Sequence, residues 1–431
     1  MRKKVHMKVI KSTSRVLKEY VKHVRLFRSN ARLYLLNVVI TGAAMGVFRL
    51  LFNFYVLSLG YDEALLGQLV TVTSLTALLV ALPMGYLADL LGRKASLLAA
   101  GALTSLSVLV MVLWPDTTIF YVANVVFGIA QSLAAVTMSP FLMENSGEEE
   151  RTYLFSFGSG LQMASASVGN WIGGYLPTWV AMSRGVEATH SLAYGGSLLV
   201  ISIAAGLALL PLLMLHTPQL ERSERSVFAP IQYAMDHPAM LGKLVSPMLI
   251  TSLGAGLIMP FQNVFFRQVH HQPDPVIGTL FAWGSLAMGL GLLVAPPLAD
   301  RMGKIQLVVI TQGLSIPFLI LLGFAPWFWV SAAAYYVRVA LMNMGGPVYQ
   351  TFVMENVEPK ARATVASLVT MSWNFGWAFS PTISGLLQVR YGFDPPFIGT
   401  ITMYCVSIVL YWAFFWKGRS SRAAPMAETA D

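Results

Sequence analysis

A short element of acidic and basic residues occurs twice in this 431-residue chain. The first copy is Gly85-Tyr86-Leu87-Ala88-Asp89-Leu90-Leu91-Gly92-Arg93-Lys94, and the second is Pro296-Pro297-Leu298-Ala299-Asp300-Arg301-Met302-Gly303-Lys304. Carboxylates and cations in such loops can form charge-assisted hydrogen bonds that also break again. The glycines permit a tight turn and a close approach between helices. The chemistry that this element indicates is reversible ion pairing.

The two copies belong to a duplication that runs through the chain. Asp300 follows Asp89 by 211 positions. The same offset relates four further pairs, which are Phe141-Leu142-Met143-Glu144-Asn145 with Phe352-Val353-Met354-Glu355-Asn356, Gly67 with Gly278, Arg151 with Arg362, and Gly174 with Gly385. One offset kept this often indicates two related halves in one polypeptide, a pattern found in membrane transporters.

Two arginines stand near the middle of long apolar stretches, at positions 49 and 338. An isolated arginine in the membrane interior costs about 2.5 to 3.5 kcal/mol on insertion scales, so it is expected to face a cavity or the protein interior. Every Asp and Glu lies in a loop, a terminus or a helix end. An anionic solute is therefore the natural counter-ion for Arg49 and Arg338. Alternatively, either arginine bonds backbone carbonyls at a broken turn or extends towards the membrane surface.

Amide and aromatic side chains within the apolar stretches are further candidates for contact with a solute, because amides both donate and accept hydrogen bonds and tryptophan stacks on flat molecules. The candidates are Asn53, Gln262, Asn263, Asn374, Trp373 and Trp377. The alternative for the amides is hydrogen bonding between helices, and for the tryptophans it is packing.

No catalytic set is evident in the sequence. All seven histidines lie in termini or loops, and no two carboxylates share an apolar stretch. The glycine-rich loop that binds nucleotide phosphates is also missing. We therefore expect no enzyme activity, no cofactor, no metal site and no direct use of ATP.

The elements that position these residues are apolar helices. Hydrophobic residues make up 56% of the chain and charged residues 11%, and the mean hydropathy is +0.63. Twelve apolar stretches reach roughly 20 residues, the length that crosses a bilayer as a helix. They centre near positions 46, 77, 105, 130, 164, 202, 256, 288, 315, 341, 375 and 405. The sequence predicts an all-α membrane protein with twelve transmembrane helices in two pseudo-symmetric six-helix bundles.

The net charge of +9 comes from basic residues whose positions along the chain follow the pattern of a membrane protein. Eleven of the 29 Lys and Arg residues precede position 33, and most others fall in alternate loops. This pattern predicts a multi-pass protein of the plasma (inner) membrane with both termini in the cytoplasm, and it argues against a nucleic-acid partner. The first thirty residues are too charged for a signal peptide. They suit either a helix on anionic membrane lipid or a disordered basic tail.

The predicted organisation follows from these features. A basic cytoplasmic segment covers residues 1–32, an N-terminal six-helix bundle 33–215, a polar cytoplasmic linker 216–242, a C-terminal six-helix bundle 243–416 and a cytoplasmic tail 417–431. The single cysteine, Cys405, excludes an intrachain disulfide.

The Gly85 to Lys94 loop resembles the signature loop of the major facilitator superfamily, and the twelve-span duplicated plan extends the resemblance over essentially the whole chain. The second copy is weaker, with Pro296 in place of the first glycine and Lys304 in place of the arginine. The resemblance implies a secondary transporter that works by alternating access, usually as a monomer.

We expect a conformational gate that consists of Gly85, Asp89, Gly92, Arg93, Lys94, Glu144, Arg151, Asp300, Gly303, Lys304, Glu355 and Arg362. Asp89 would face the positive N-terminal end of the eleventh span across the halves, and Arg93 and Lys94 would lie near Glu144. By duplication, Asp300 would face the start of the fifth span. Such pairs must break when the cytoplasmic side opens, so they set the balance between two states.

Two functions remain open from sequence. The first is transport of a small organic anion or zwitterion, with Arg49 and Arg338 as a charge clamp. The second is multidrug or lipophile efflux coupled to protons. Gly169-Asn170-Trp171-Ile172-Gly173-Gly174 resembles an antiporter element of the superfamily, with Asn170 where proline is expected, and 22 methionines suit an adaptable pocket. The missing central carboxylate weighs against this second function.

Overall fold

The computed structural model describes residues 24, 26–216, 238–357 and 362–417. Within these residues the fold consists of helices and connecting turns. Most of the predicted N-terminal segment, most of the predicted linker and nearly the whole predicted tail lie outside the described residues. The first long helix begins at Ser29, and the first long helix of the second half begins at Pro238.

Twelve long helices, α1 to α12, run through the described residues. Their bounds are Ser29–Ser58, Glu63–Leu91, Arg93–Leu113, Thr117–Glu144, Glu148–Arg184, Ser191–Leu207, Pro238–Ile258, Asp274–Met302, Lys304–Phe324, Phe328–Glu355, Arg362–Tyr391 and Asp394–Tyr411. Short segments extend three of them: Leu209–Leu213 follows α6, a 3-10 turn Met259–Phe261 and a helix Gln262–Gln268 follow α7, and a π-helical turn Trp412–Trp416 follows α12.

Nine of these helices, among the described residues, are long and apolar enough to cross a membrane. They are α1 to α4, α6 to α9 and α12. The other three, α5, α10 and α11, have 37, 28 and 30 residues, so length does not set them apart. Their amides, hydroxyls, tyrosines and charged residues lower their hydropathy.

The duplicated loops have the same backbone geometry. Gly92 separates α2 from α3 with a φ of 81°, and Gly303 separates α8 from α9 with a φ of 94°. This region of φ is strained for residues with a side chain, so glycine is required at both turns. The repeated glycine of the sequence element therefore has a direct structural cause.

Two pairs of helices join the halves, and each pair has one helix from either half. We call them the crossed pairs. Within the halves, α1 packs on α5, α2 on α4, α7 on α11 and α8 on α10. Between the halves, α2 packs on α11 and α5 on α8. We call the end of the molecule where α2 and α8 begin the Glu63 end, and the opposite end of these helices the Asp89 end.

Glycines bring the crossed pairs into backbone contact near the Glu63 end. A Cβ atom at Gly67 would overlap the carbonyl oxygen of Pro381, and one at Gly278 would lie 2.5 Å from the carbonyl oxygen of Asn170. The second set of contacts, of Gly385 with Glu63 and of Gly174 with Asp274, repeats the pattern. Each contact has its equivalent 211 positions away, so the duplicated glycines mark the surface on which the halves close.

Candidate functional site

A cavity of about 1760 Å³ lies between the two halves. Its described walls come from α1, α2, α4, the turn that follows α7, and α11. It reaches Tyr86, Asp89 and Leu90, which are exposed residues near the last turn of α2. The cavity thus extends to the Asp89 end, while the glycine contacts hold the helices together at the Glu63 end.

One face of α1 forms a wall of the cavity. Met45, Phe48, Arg49, Phe52 and Asn53 all line it. Their spacing of three or four residues places them on one side of the helix. Arg49 is exposed to the cavity, and among the described residues it forms no hydrogen bond and no ion pair. Its guanidinium is therefore free to bind a ligand.

The charge of Arg49 is not balanced within the described wall. The other charged residue there is Asp89. Its carboxylate already accepts a hydrogen bond of 2.7 Å from the Arg93 guanidinium. An anion in the cavity would meet one uncompensated cation, which makes the wall electrostatically suited to an anion.

Helix α11 supplies the aromatic and amide part of the wall that the sequence predicted. Trp373, Asn374 and Trp377 line the cavity, and the amide of Asn374 is exposed to it. The indole nitrogen of Trp377 is buried without an acceptor in the described structure. An oxygen atom of a bound molecule could accept this hydrogen bond. Phe127 of α4 adds a ring, so the wall offers flat apolar surfaces as well as donors.

Arg338 does not line the described cavity. Its side chain is 1% exposed and its Nη2 atom donates to the Tyr404 hydroxyl at 3.3 Å. The Nε atom has no acceptor among the described residues. The Arg338 guanidinium lies over the ring of Tyr404 in α12 and away from the described cavity wall, so the expected clamp of Arg49 and Arg338 is not assembled in this conformation.

Two other predicted contacts, Gln262 and Asn263, are buried just beyond the break in α7. The Asn53 amide nitrogen donates to Asn263 Oδ1 at 2.9 Å and to the carbonyl oxygen of Pro260 at 2.7 Å. Asn263 in turn donates to the carbonyl oxygen of Leu50 at 2.8 Å. These hydrogen bonds join the halves at the closed end of the cavity. Gln262 Nε2 has no acceptor among the described residues.

The predicted gate residues form equivalent ion pairs within each half. Arg93 Nε lies 3.0 Å from Glu144 Oε1, and its Nη1 atom bonds Asp89. In the second half, Lys304 pairs with Glu355 at the equivalent positions. Each pair ties the start of one helix to the end of another at the Asp89 end.

Other gate residues have different partners from those expected. Lys94 donates to the carbonyl oxygens of Leu213 and Leu215 at 2.6 and 2.8 Å, so it fixes the chain after α6. Arg151 Nε lies 3.4 Å from the Ser146 hydroxyl. Gly85 lines the cavity, while the side chain of Arg362 lies outside the described part of the structure.

The expected contacts of Asp89 and Asp300 across the halves do not appear among the described residues, and the side chains at the start of the eleventh span and at Thr152, which these carboxylates were expected to face, lie outside them. Asp89 is bonded within its own half, and Asp300 is exposed without a hydrogen bond among the described residues.

A cluster that sequence reasoning missed joins the halves at the Glu63 end. The Tyr194 hydroxyl of α6 donates to Asp274 Oδ2 at 2.7 Å and accepts from Arg267 Nη2 at 2.6 Å. Arg267 Nη1 lies 3.6 Å from Asp274 Oδ1. Asp274 is 7% exposed. The signal available in the sequence was the duplication, since Asp274 follows the acidic residue Glu63 by 211 positions.

Comparison with known proteins identifies the family of the chain. The sequence profile of the Major Facilitator Superfamily matches residues 34–248 and again residues 244–430. The chain belongs to the major facilitator superfamily. The family and the fold are those of membrane-spanning transporters and not of enzymes, as the sequence predicted.

Solved transporters share the fold at low sequence identity. The nucleoside transporter NupG matches with a TM-score of 0.73 and 14% identity, over 91% of this chain and 99% of that chain. A bacterial homologue of the human lysosomal transporter Spinster, in an inward-facing and unoccupied conformation, matches with a TM-score of 0.70 and 14% identity, over 94% and 99% of the two chains.

A curated relative is the multidrug resistance protein MdtG of Proteus mirabilis (strain HI4320), which is 22% identical over 173 residues. The match covers 39% of this chain and 42% of MdtG, so it spans less than half of either protein. It supports membership of a family of transporters that bind small molecules.

Proposed function

We propose that the chain is a secondary transporter that carries a small organic anion or zwitterion across the plasma (inner) membrane by alternating access. The position of Arg49 is the observation that carries this proposal. It is a cation in the wall of a large cavity, and no described residue neutralises it. The cavity volume of about 1760 Å³ leaves room for an organic molecule with its water.

In this proposal Arg49 binds the anionic group, Asn53 and Asn374 hydrogen-bond the solute, and Trp373 and Trp377 stack on its apolar part. The structure would correspond to a state that is open to the cytoplasm at the Asp89 end. The basic residues Arg93, Lys94, Arg151 and Lys304 lie at that end, as the positive-inside rule requires of a cytoplasmic face. Both termini would then be cytoplasmic.

The opposite state requires the Asp89 end to close. The predicted gate residues would then meet across the halves, while Asn263, Gln262 and Arg338 become available as helices α7 and α10 move. All twelve long helices would cross the membrane, as two six-helix bundles that rock about the α2–α11 and α5–α8 contacts. We propose a monomer in contact with membrane lipid, with no nucleic-acid partner.

Proton-coupled efflux of lipophilic drugs is the second candidate. Its support is the partial likeness to MdtG and the aromatic and methionine side chains of the cavity wall, such as Phe48, Phe127, Met45 and Met371. Such soft surfaces adapt to varied molecules. The buried carboxylate of Asp274 would be the titratable group at the junction of the halves.

A thermal-stability assay with two probes that share a naphthalene ring and carry opposite charges separates the candidates. Purified protein would be melted with 2-naphthoate and with the 2-naphthyltrimethylammonium cation. A ligand at a hundredfold excess over its dissociation constant stabilises a protein by about 2.7 kcal/mol. We expect stabilisation by naphthoate, its loss in Arg49→Gln and partial retention in Arg49→Lys.

Stabilisation by the cation alone, unaffected by Arg49→Gln, would refute the anion proposal and favour drug efflux. The matched control is Arg184→Gln. Arg184 is an exposed cation at the end of α5 and does not line the cavity. A general effect of removing one positive charge would appear in both variants.

A further inference from the structure

Two amides of the cavity wall have no hydrogen-bond partner among the described residues. Four amides line this cavity: Asn53, Asn124, Gln131 and Asn374. The amide nitrogen of Asn53 is used at the closed end, and Asn124 Oδ1 accepts a hydrogen bond of 2.8 Å from the Thr73 hydroxyl. Gln131 and Asn374 are exposed to the cavity and form no hydrogen bond within the described structure. Gln131 is therefore the amide of the first half that is free to bind a solute.

The contact between α1 and α4 sets the depth of Gln131. The rings of Phe48 and Phe127 lie 5.1 Å apart, so these two residues are at the same depth in the molecule. The helices are antiparallel, because Asn30 at the start of α1 donates at 2.8 Å to Asn145 at the end of α4. Gln131 therefore lies one turn, about 6 Å, closer to the Asp89 end than Phe127 does.

The directions of their side chains bring Arg49 and Gln131 together. Side chains of an α-helix lean towards its N-terminus. Arg49 follows Phe48 in α1, which begins at the Asp89 end, so its guanidinium leans towards the depth of Gln131. Helix α4 ends at the Asp89 end, so the amide of Gln131 leans towards Arg49. Both side chains line the cavity and are exposed to it, so they converge on one part of the wall.

The junction of α1 with the break after α7 gives the depth of α11. The Asn53 amide donates to the Pro260 carbonyl oxygen at 2.7 Å. Arg49 and Gly256 each lie about one turn closer to the Asp89 end, so they share a depth. A Cβ atom on Gly256 would lie 3.2 Å from the carbonyl oxygen of Gly376 in α11. Gly376 is therefore level with Arg49.

Two tryptophans occupy these depths on α11. Trp377 follows Gly376 and is level with Arg49. Trp373 lies one turn closer to the Asp89 end and is level with Gln131. Residues four apart lie on one face of a helix, and both indoles line the cavity. A flat ring bound beside Arg49 and Gln131 would contact both indoles.

The described wall provides one free cation for a bound molecule. Arg49 has no partner there, and the carboxylate of Asp89 is bonded to Arg93 at 2.7 Å. A second carboxylate of a solute would find no cation in the described wall, and an ammonium group would find no free carboxylate. The charges therefore suit a molecule with a single negative charge.

We infer that the solute is a flat aromatic monocarboxylate, and that Gln131 and Arg49 bind its carboxylate together. The guanidinium and the Gln131 amide nitrogen donate to the carboxylate oxygens. Trp373 and Trp377 stack on the ring. The inference rests on the proposed function and specifies its substrate class.

Two acids that differ in saturation test the aromatic part. 2-Naphthoate and decahydro-2-naphthoate have the same carbon skeleton and charge, and titration calorimetry on the purified protein measures their affinities. We expect naphthoate to bind about tenfold more tightly, because the saturated rings cannot stack. Trp373→Leu should remove most of this preference. Trp329→Leu should keep it, because the Trp329 side chain is 78% exposed and does not line the described cavity. Equal affinities of the two acids for the wild type would refute the aromatic substrate class.

An exchange of the two polar side chains tests whether they bind the same carboxylate. Arg49→Gln should lower the affinity for naphthoate about 100-fold, because a hydrogen-bonded charge partner is lost. The double variant Arg49→Gln/Gln131→Arg places the cation on the other side of the same carboxylate. Its affinity should return to within about tenfold of the wild type. A double variant that binds no more tightly than Arg49→Gln would overturn the inference.

A substitution that adds no charge provides a second test, because leucine is readily accommodated in an apolar helix. Gln131→Leu should weaken naphthoate binding about tenfold, since one hydrogen bond to the carboxylate is lost. Gln162→Leu is the matched control and should bind as the wild type does. Gln162 is an exposed glutamine of α5 that does not line the described cavity. Equal affinities of these two variants would refute the role of Gln131.

The dependence on Arg49 keeps the two proposals separable. If naphthoate binding depends on Arg49 but changes neither in Gln131→Leu nor on exchange of the two side chains, the assignment of Gln131 is wrong and the anion transporter stands. If naphthoate binding does not depend on Arg49, the proposed function fails and the inference fails with it.

Discussion

Gly67 of α2 lies in backbone contact with Pro381 of α11, and a single added methyl group would overlap the Pro381 carbonyl oxygen. The obstructing atom belongs to the backbone, so it cannot move aside as a side chain can. The halves can close at the Glu63 end only if this position has no side chain. Gly278, at the equivalent place, meets Asn170 in the same way.

We therefore predict that Gly67→Ala shifts the protein towards a state that is open at the Glu63 end. Overpacking of this kind costs about 1 to 3 kcal/mol, or about 5-fold to 150-fold in the equilibrium. Spin labels at Pro115 and Pro326, in two loops at that end, would report a longer distance. In Gly313→Ala a Cβ meets nothing within 4 Å, so this variant should match the wild type. Identical distances in Gly67→Ala and the wild type would contradict the prediction.

Arg338 gives a prediction that separates packing from ligand binding. Its guanidinium is buried against Tyr404 and lacks one hydrogen-bond acceptor among the described residues. Replacing a buried, poorly satisfied charge by an apolar side chain of similar length is often neutral or stabilising. We expect Arg338→Met to keep its melting temperature or raise it, and to bind naphthoate within about twofold of the wild type. A loss of naphthoate affinity as large as that of Arg49→Gln would support the two-arginine clamp instead.

His270 predicts a pH dependence of stability. It lies outside the apolar spans, in contact with the rings of Phe265, Phe266 and Phe328. Burial lowers the pKa of His270, and the neighbouring His271 lowers it further. The folded protein therefore binds this proton less readily than the unfolded chain, whose histidine has a pKa of about 6.5.

Stability should be constant well above about pH 6.5 and should fall as the pH drops through that value, because the unfolded state takes up the proton first. His270→Phe keeps the ring contacts and should make the melting temperature less dependent on pH in this range. The exposed His216 provides the control, and His216→Gln should keep the wild-type profile. A profile in His270→Phe that is as steep as in the wild type would show that another group is responsible.

The duplication made much of the fold predictable from the sequence. The remaining features depend on how the helices pack. The offset of 211 located in advance the glycines that join the crossed helices and the equivalent ion pairs of Arg93 and Lys304. Polar residues in apolar stretches located much of the cavity wall, including Arg49 and Asn374. They did not reveal that Arg338 is buried against Tyr404, because a polar residue in an apolar stretch can face a cavity or another buried side chain alike.

The cluster of Tyr194, Arg267 and Asp274 illustrates the same limit. Each residue is a loop or helix-end residue in the sequence, where charged side chains are usually in water. Burial of Asp274 becomes visible only when α5 of the first half is packed against α8 through Gly174. The Tyr194 hydroxyl is then the only atom of the first half that hydrogen-bonds this carboxylate within the described structure.

Tyr194→Phe should therefore loosen the Glu63 end without removing a charge or a ring. The variant leaves Oδ2 of the buried Asp274 without its donor and removes the acceptor of Arg267 Nη2. A hydrogen bond to a charged group contributes about 1.5 to 3 kcal/mol, so the state that is open at this end should gain about 10-fold to 150-fold. The labels at Pro115 and Pro326 measure this gain. Tyr55→Phe is the matched control, because the Tyr55 hydroxyl makes only long bonds of 3.4 and 3.5 Å within its own half. If both phenylalanine variants keep the wild-type distance, the cluster does not hold the halves together, and the glycine and asparagine contacts must do so alone.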